Sequence, residues 1–258
     1  MALETVHAEL LESGTLLHLV LQRPTGNILT SGLMAQLEQK LAEHANDRAL
    51  RLVVLRGATR QFSYGASVEE HRRETAPAML RSLARLVREI ARYPVPIAAL
   101  VEGHCLGGGF ELALACHLVF ASPEAQFGCP EIKLGVFPPV LAALGPWRLG
   151  GSLSDRLVLT GETITAAEAR ACGFVSGVVD HGDPFARLLD WYRNGLARLS
   201  AAALRSAVLA IRRDAEPLLG ARLDDLLALY ETSVLESHDG NEGIEAFLAR
   251  RAPVWTNA

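Results

Sequence analysis

The chain has 258 residues, of which 50% are hydrophobic and 21% are charged. A chain of this length and composition can bury a core of its own, which excludes both a disulfide-stapled miniature and a largely disordered protein. Its 25 basic and 29 acidic residues leave a formal net charge of -4. We therefore expect no nucleic-acid partner and no attraction to an anionic membrane surface.

Cysteine spacing limits the chemistry expected of the chain, and the first residues indicate its cellular compartment. Cys105, Cys116, Cys129 and Cys172 form no C-x-x-C pair, so we predict free thiols, no redox pair and no metal site. The chain opens without a basic segment, and no apolar run has the length that spans a bilayer. A cytoplasmic protein is expected.

Strand and helix patterns alternate through the first two thirds of the chain. Short runs of branched apolar residues predict buried strands, and apolar residues at helical spacing predict helices over a sheet. The predicted strands are 18–21, 52–55, 97–101, 118–121 and 156–159, and the predicted helices include Leu33 to Leu41 and Met79 to Ile90. The fold class is therefore α/β.

The remainder of the chain lacks the strand pattern. Helices are predicted over 201–213, 216–236 and 241–251, which divides the chain into a core, 1–195, and a helical region, 196–258. Asp239 and Glu242 have the spacing of a capping box for the last helix, and Pro253 follows its end. Leu223, Leu227 and Tyr230 belong to an apolar stripe that either docks on the core or contacts another subunit.

A glycine triplet, Gly107 to Gly109, follows a predicted strand and opens a predicted helix. Glycines allow a ligand to approach the backbone closely, and the helix N-terminus adds partial positive charge to the exposed N–H groups. Such a turn can bind an anionic oxygen, although a tight turn without a ligand has the same composition. The spacing does not match a dinucleotide-binding fingerprint.

Two further segments contain candidate functional residues. The loop from Phe62 to Ser67 has small residues that can expose N–H groups. Glu111 lies among apolar residues, and Glu131 lies in a separate loop, so the pair could exchange protons with a substrate. The alternative for Glu111 is a structural ion pair with an arginine.

Taken together, these segments resemble the crotonase, or enoyl-CoA hydratase/isomerase, family. The matches run in order from residue 21 through 62–67, 107–111, 127–135 and 159–175 to 246–251. The resemblance implies a spiral of ββα units, a coenzyme A thioester as substrate, and no separate cofactor. It places the oxyanion hole at the backbone N–H groups of Ala66 and Gly108. It also makes Glu111 and Glu131 the catalytic pair.

The resemblance also implies CoA contacts at Gly26, Tyr64, Ala66, Ser67 and Val68. Within the family, segments 65–71 and 135–139 are similar to members that hydrate a cyclic dienoyl-CoA in anaerobic benzoyl-CoA degradation. An apolar segment, 140–144, replaces a more polar stretch found in many relatives; it either lines the acyl pocket or packs in the core.

Several positions depart from the common family pattern. Ser67 stands in place of Asp, Cys129 in place of Gln, and Glu69 in place of a Lys that helps to hold CoA, so we expect altered phosphate contacts. His104 and His117 are interpreted as structural. His71 either lines the pocket entrance or lies in a solvated loop.

Three functions and one assembly follow from the resemblance. The leading hypothesis is a hydratase of a cyclic dienoyl-CoA, and the second is a hydratase of linear 2-enoyl-CoA substrates. A non-catalytic crotonase-like binding module is the hypothesis from another class, and the retained glutamates argue against it. Family members form trimers, often paired into hexamers, so a homotrimer or homohexamer using the region 196–258 is expected.

Overall fold

The computed structural model describes residues 5–179, 182–215 and 217–258. The strands are β1 Thr5–Leu11, β2 Leu16–Gln22, β3 Leu52–Gly57, β4 Ile97–Val101, β5 His104–Leu106, β6 Leu118–Ala121, β7 Gln126–Gly128, β8 Thr163–Thr165 and β9 Gly177–Val178. The helices are α1 Ser31–His44, α2 Ala76–Arg92, α3 Gly108–Ala115, α4 Pro139–Arg148, α5 Gly151–Thr160, α6 Ala166–Ala171, α7 Pro184–Asn194, α8 Ala201–Arg212, α9 Leu223–Leu229 and α10 His238–Leu248.

The strands form two sheets, and from β4 to β7 successive strands alternate between them. The larger sheet has the order β1-β2-β3-β4-β6-β9 and is parallel except for the β1–β2 pair, and the smaller sheet has the order β5-β7-β8. After β4 and β5 the chain forms α3, and then β6 and β7 return to the two sheets. This repeat of two strands and a helix confirms the predicted α/β spiral of ββα units.

Most predicted elements lie where the hydrophobic patterns placed them. The run 156–159 is an exception, because it lies inside α5 rather than in a strand. Leu157 is fully buried and Leu159 is 72% exposed, which is the one-sided burial of a helix. A run of four apolar residues cannot by itself distinguish the two structures.

The last helix begins earlier than predicted. Ser237 caps α10 by accepting a hydrogen bond from the N–H of Gly240 at 3.0 Å, so the predicted capping box at Asp239 and Glu242 is wrong. The Asp239 carboxylate instead accepts hydrogen bonds from the N–H groups of Thr256 and Asn257, both at 2.8 Å. These bonds hold the segment after Pro253 against α10.

The C-terminal helices pack on the core of their own chain. Leu223, Leu227 and Tyr230 are buried in the same apolar cluster as the helices of the spiral. Docking on the core is thus the alternative that the structure supports for this stripe. Residue 216, the predicted start of the middle helix, lies outside the described residues. No helix in the described ranges has the length and hydrophobicity needed to cross a bilayer.

Candidate active site

Gly107 joins β5 to α3 and brings the backbone next to a glutamate. Its φ of +49° lies in the left-handed region, which a side chain disfavours. A Cβ at this position would lie 2.6 Å from Glu131 Oε1, so only glycine allows this approach. The turn therefore places the N-terminus of α3 directly beside the Glu131 carboxylate.

The facing loop is held by a buried hydrogen-bond network. Asn27, which is 1% exposed, donates from Nδ2 to the carbonyl oxygens of Ala58, Gln61 and Phe62 at 3.0, 2.8 and 3.3 Å. Ser63 donates to the Asn27 carbonyl at 2.8 Å and accepts from the Gly65 N–H at 3.0 Å. Asn27 was missed from the sequence, because its role depends on partners more than 30 positions away.

The two predicted oxyanion-hole donors lie side by side. A Cβ built on Gly108 would lie 3.2 Å from the Ala66 nitrogen, so the two segments are in direct contact. Among the described residues neither the Ala66 N–H nor the Gly108 N–H has a hydrogen-bond acceptor. Gly108 is the first residue of α3, whose dipole favours negative charge at this end. Two unpartnered donors at a helix N-terminus suit a developing enolate oxygen.

Glu111 is fixed in α3 and is almost completely buried, with 2% exposure. Its Oε1 accepts hydrogen bonds from the N–H groups of Val140 and Leu141 at 2.7 and 3.0 Å, at the start of α4. Within the described chain it has no ion pair with an arginine, so that alternative is not supported. The backbone donors orient the carboxylate without neutralising it.

Glu131 lies in a short helical turn, Pro130–Leu134, and its Oε2 is buried with no hydrogen-bond partner in the described structure. Burial raises the pKa of both glutamates, and the negative charge of Glu111 raises the pKa of Glu131 further. Two carboxyl groups with raised and mutually dependent pKa values can share a proton near neutral pH. One member of such a pair can accept a proton while the other donates one.

A cavity of about 400 Å³ opens beside Glu131. Four predicted site residues line it, namely Tyr64, Ala66, Val68 and Glu131. Its wall also includes His71, which the sequence left undecided between the pocket entrance and a solvated loop. The Nδ1 of His71 lies 2.8 Å from the Ser67 carbonyl oxygen, so the ring is anchored rather than free.

The other predicted CoA contacts lie behind this wall. The Tyr64 ring packs so closely on Gly26 that a Cβ there would lie 1.6 Å from the ring. Ser67 is buried, and its hydroxyl donates to the Glu69 carboxylate at 3.0 Å rather than facing the cavity. Gly26 therefore supports the Tyr64 wall, and Ser67 orders the following turn.

Several lining residues come from parts of the chain to which the sequence analysis gave no binding role. Lys133 brings positive charge to the cavity, Arg251 is paired with the Glu242 carboxylate at 2.7 Å, and Phe247 brings an exposed aromatic ring. These residues share only their place in the chain, since they either flank Glu131 or lie at the end of α10. That placement is the one sequence feature that could have indicated a binding role. Only the folded structure places these segments together.

The apolar segment 140–144 does not line the cavity described above. Val140, Leu141, Ala143 and Leu144 are each 1% exposed or less and belong to the main core cluster. Core packing is therefore the alternative that the structure supports for this segment. Its contribution to the site is the pair of N–H groups that bind Glu111.

The far end of α3 contacts two cations, Arg212, which is buried, and Arg148, which is half-buried. Arg212 Nη2 donates to the carbonyl oxygens of Ala115 and Cys116 at 2.9 and 2.8 Å, and Arg148 Nη2 donates to Cys116 at 3.1 Å. Burial lowers the pKa of Arg212 to about 10, which leaves it charged at neutral pH. Both guanidinium groups satisfy the carbonyl oxygens at the C-terminus of α3.

The model of a family described as enoyl-CoA hydratase/isomerase matches residues 12–258. The chain belongs to the enoyl-CoA hydratase/isomerase family. Crotonase-family membership, expected from the motifs, is thereby confirmed.

Individual members of the crotonase family match almost the whole chain. The cyclohexa-1,5-dienecarbonyl-CoA hydratase of Thauera aromatica is 44% identical over 95% of this chain and 94% of its own length. The 2,3-dehydroadipyl-CoA hydratase of Escherichia coli K12 is 36% identical over 91% of this chain and 92% of its own. A crystal structure of an enoyl-CoA hydratase from Mycobacterium avium subsp. paratuberculosis superposes with a TM-score of 0.84 at 31% identity, covering 97% of this chain and 98% of that one.

Proposed function

We propose that this protein is a hydro-lyase that adds water to cyclohexa-1,5-diene-1-carbonyl-CoA and forms 6-hydroxycyclohex-1-ene-1-carbonyl-CoA. The observation that supports it most is a glutamate pair, Glu111 buried and Glu131 with a buried Oε2, together with the two unpartnered N–H groups of Ala66 and Gly108; Ala66 and Glu131 line the cavity. The 44% identity to a hydratase of a cyclic dienecarbonyl-CoA supports this substrate.

The oxyanion hole supplies the electrostatic part of the reaction. Water adds at the β carbon while one carboxylate accepts its proton, and the electron pair of the conjugated double bond moves toward the thioester oxygen. The N–H groups of Ala66 and Gly108 stabilise that oxygen as it becomes negative. They are fixed in place before the reaction, so little reorganisation opposes the charge.

The glutamates supply the proton transfers. The dienolate spreads its charge through the second double bond, so the proton is delivered at the far end of the diene, and the net change is a 1,4 addition of water. Glu111 and Glu131 share the two tasks of accepting and donating a proton. Their raised pKa values allow one to be protonated while the other is ionised near neutral pH.

Direct turnover of the cyclic dienoyl thioester tests this function. Purified protein is mixed with that substrate and, in parallel, with crotonyl-CoA at the same concentration, and the hydroxylated products are separated by chromatography. We expect the cyclic substrate to have the higher kcat/KM. In addition, Glu111→Gln and Glu131→Gln should each lower kcat by about a hundredfold or more. Hydration of neither substrate by the folded protein would refute the proposal.

A linear 2-enoyl-CoA is the second candidate substrate. It is favoured by the 36% identity to 2,3-dehydroadipyl-CoA hydratase and by the likeness to a structure named enoyl-CoA hydratase. The same glutamate pair and oxyanion hole would serve it. A higher kcat/KM for crotonyl-CoA in the experiment above would favour this candidate over the cyclic one.

The CoA moiety and the assembly complete the proposal. The CoA chain lies along Tyr64, Ala66 and Val68, and Lys133, which lines the same cavity, attracts its phosphates. CoA is part of the substrate, and no separate cofactor is needed. The protein assembles as a homotrimer or homohexamer, with the region 196–258 at the subunit contacts.

A further inference from the structure

Tyr230 is a buried tyrosine whose hydroxyl lacks a partner. It is 1% exposed, and within the described ranges its hydroxyl oxygen has no hydrogen bond. Two other buried tyrosines are satisfied: Tyr93 donates to the Leu41 carbonyl at 2.9 Å, and Tyr192 donates to Thr15 Oγ1 at 2.7 Å. Because buried hydroxyls are nearly always hydrogen-bonded, the exception at Tyr230 calls for a specific explanation.

The Tyr230 hydroxyl is influenced by the charges of the two glutamates. Burial raises the pKa of this phenol, and the negative charges of Glu131 and Glu111 raise it further. The ring centroid is 5.3 Å from that of Phe137, which follows the Glu131 turn. Glu131 Oε2 is the second unpartnered buried polar atom in this region. A buried donor and a buried acceptor are thus both without a partner in this region, and a small polar group that reached both would satisfy them.

The backbone at Tyr230 departs from a regular α-helix. The N–H of Leu235 donates to the Tyr230 carbonyl oxygen at 3.1 Å, a bond that spans five residues rather than four. Such π-helical turns change the direction of side chains and occur frequently at functional sites. The preceding helix, α9, packs against α4, whose first N–H groups hold Glu111. Helix α4 therefore contacts both the helix that precedes Tyr230 and the Glu111 carboxylate.

We propose that the Tyr230 hydroxyl binds the oxygen atom that is added to the substrate. It contacts the reacting water before the addition and the new ring hydroxyl afterwards, opposite Glu131 Oε2. A phenol hydroxyl both donates and accepts, so it can remain bonded to this oxygen in both states. The inference rests on the proposed hydratase function and makes Tyr230 a third catalytic residue, which the sequence motifs do not indicate.

The test compares Tyr230→Phe with Tyr93→Phe, because each variant removes one buried hydroxyl and keeps the ring. For Tyr230→Phe we expect kcat with the cyclic dienoyl thioester to fall by about 10- to 100-fold, as for loss of a hydrogen bond to a charged or reacting group. Its melting temperature should be equal to or above that of the wild type, because the hydroxyl has no hydrogen-bond partner to lose. Tyr93→Phe should show the reverse, with normal kcat and a lower melting temperature.

A binding measurement separates a catalytic from a structural role. Wild type and Tyr230→Phe are titrated with the hydroxylated product and with saturated cyclohexanecarbonyl-CoA, which lacks the hydroxyl. Tyr230→Phe should lose affinity for the product only. Equal kcat, equal loss of affinity for both ligands, or a melting temperature lowered as in Tyr93→Phe would each overturn the assignment. If the wild type hydrates no thioester, the proposed function fails instead, and retained selective product binding would still support the contact.

Discussion

Replacing Glu131 by Gln should stabilise the folded protein at alkaline pH while it abolishes most activity. Oε2 of Glu131 is buried and unpartnered, and the folded state raises the pKa of this carboxyl. A carboxyl whose pKa is raised on folding stabilises the protein most when it is protonated, below its ordinary pKa of about 4.3. That contribution is lost as the pH rises through the pKa of the folded state, so the ionised side chain opposes folding there.

The size of this stabilisation follows from the lack of a hydrogen-bond partner for Glu131 Oε2. An unsatisfied buried group costs about 1–3 kcal/mol, and more when it is charged. In a domain of this size each kcal/mol shifts the melting temperature by about 2–4 °C. We therefore expect Glu131→Gln to melt about 2–12 °C above the wild type near pH 8.5 and within about 1 °C of it near pH 4.5.

Differential scanning calorimetry at both pH values measures this difference. Glu74→Gln provides the control, because Glu74 is exposed and its replacement should change neither curve. A lower melting temperature for Glu131→Gln at pH 8.5, or the same shift at both pH values, would show that the buried carboxylate has a partner in solution and would refute the reasoning.

Three further results are expected. Gly108→Pro removes an oxyanion donor, whereas Gly108→Ala adds a Cβ but keeps the N–H. The proline variant should therefore have a kcat about 10²- to 10³-fold below that of the alanine variant. Equal kcat values would exclude the Gly108 N–H as a donor. Asn27→Ala should lower the free energy of unfolding by about 2–4 kcal/mol in urea titrations, because three backbone carbonyls lose their donor, and a change below about 0.5 kcal/mol would show that water replaces it. Light scattering at micromolar concentration should give the mass of a trimer or hexamer, whereas a fully active monomer would contradict the proposed assembly.

The strands and helices of the spiral could be predicted because their apolar residues follow a clear period. Strand β3 is a continuous apolar run, and α2 has apolar residues at helical spacing. Each pattern therefore fits only one type of secondary structure. The run 156–159 does not determine its secondary structure, since so short an apolar run fits a buried strand and one face of α5 equally well. Strand β1 was missed because most of its side chains are exposed.

The site was predictable in its residues but not in its geometry. The motifs identified Glu111, Glu131 and the Gly108 turn, because these residue types carry the chemistry. They could not show that the start of α4 binds Glu111 or that Gly107 contacts Glu131, since those contacts join segments that are distant along the chain. Similarly, Asp239 has the spacing of a helix cap, yet its carboxylate is used by the residues after Pro253.

Helix α3 has its two ends in different electrostatic surroundings, with the oxyanion donors at one end and the guanidinium groups of Arg148 and Arg212 at the other. Eight residues make it about 12 Å long, and at that distance each cation stabilises a full negative charge by roughly 1.4 kcal/mol at an effective dielectric constant of about 20. The cations therefore add to the field that the helix exerts on a bound thioester carbonyl. A carbonyl in that field stretches at a lower infrared frequency, so a substitution at Arg212 would shift the vibrational band of a ligand that the arginine never touches.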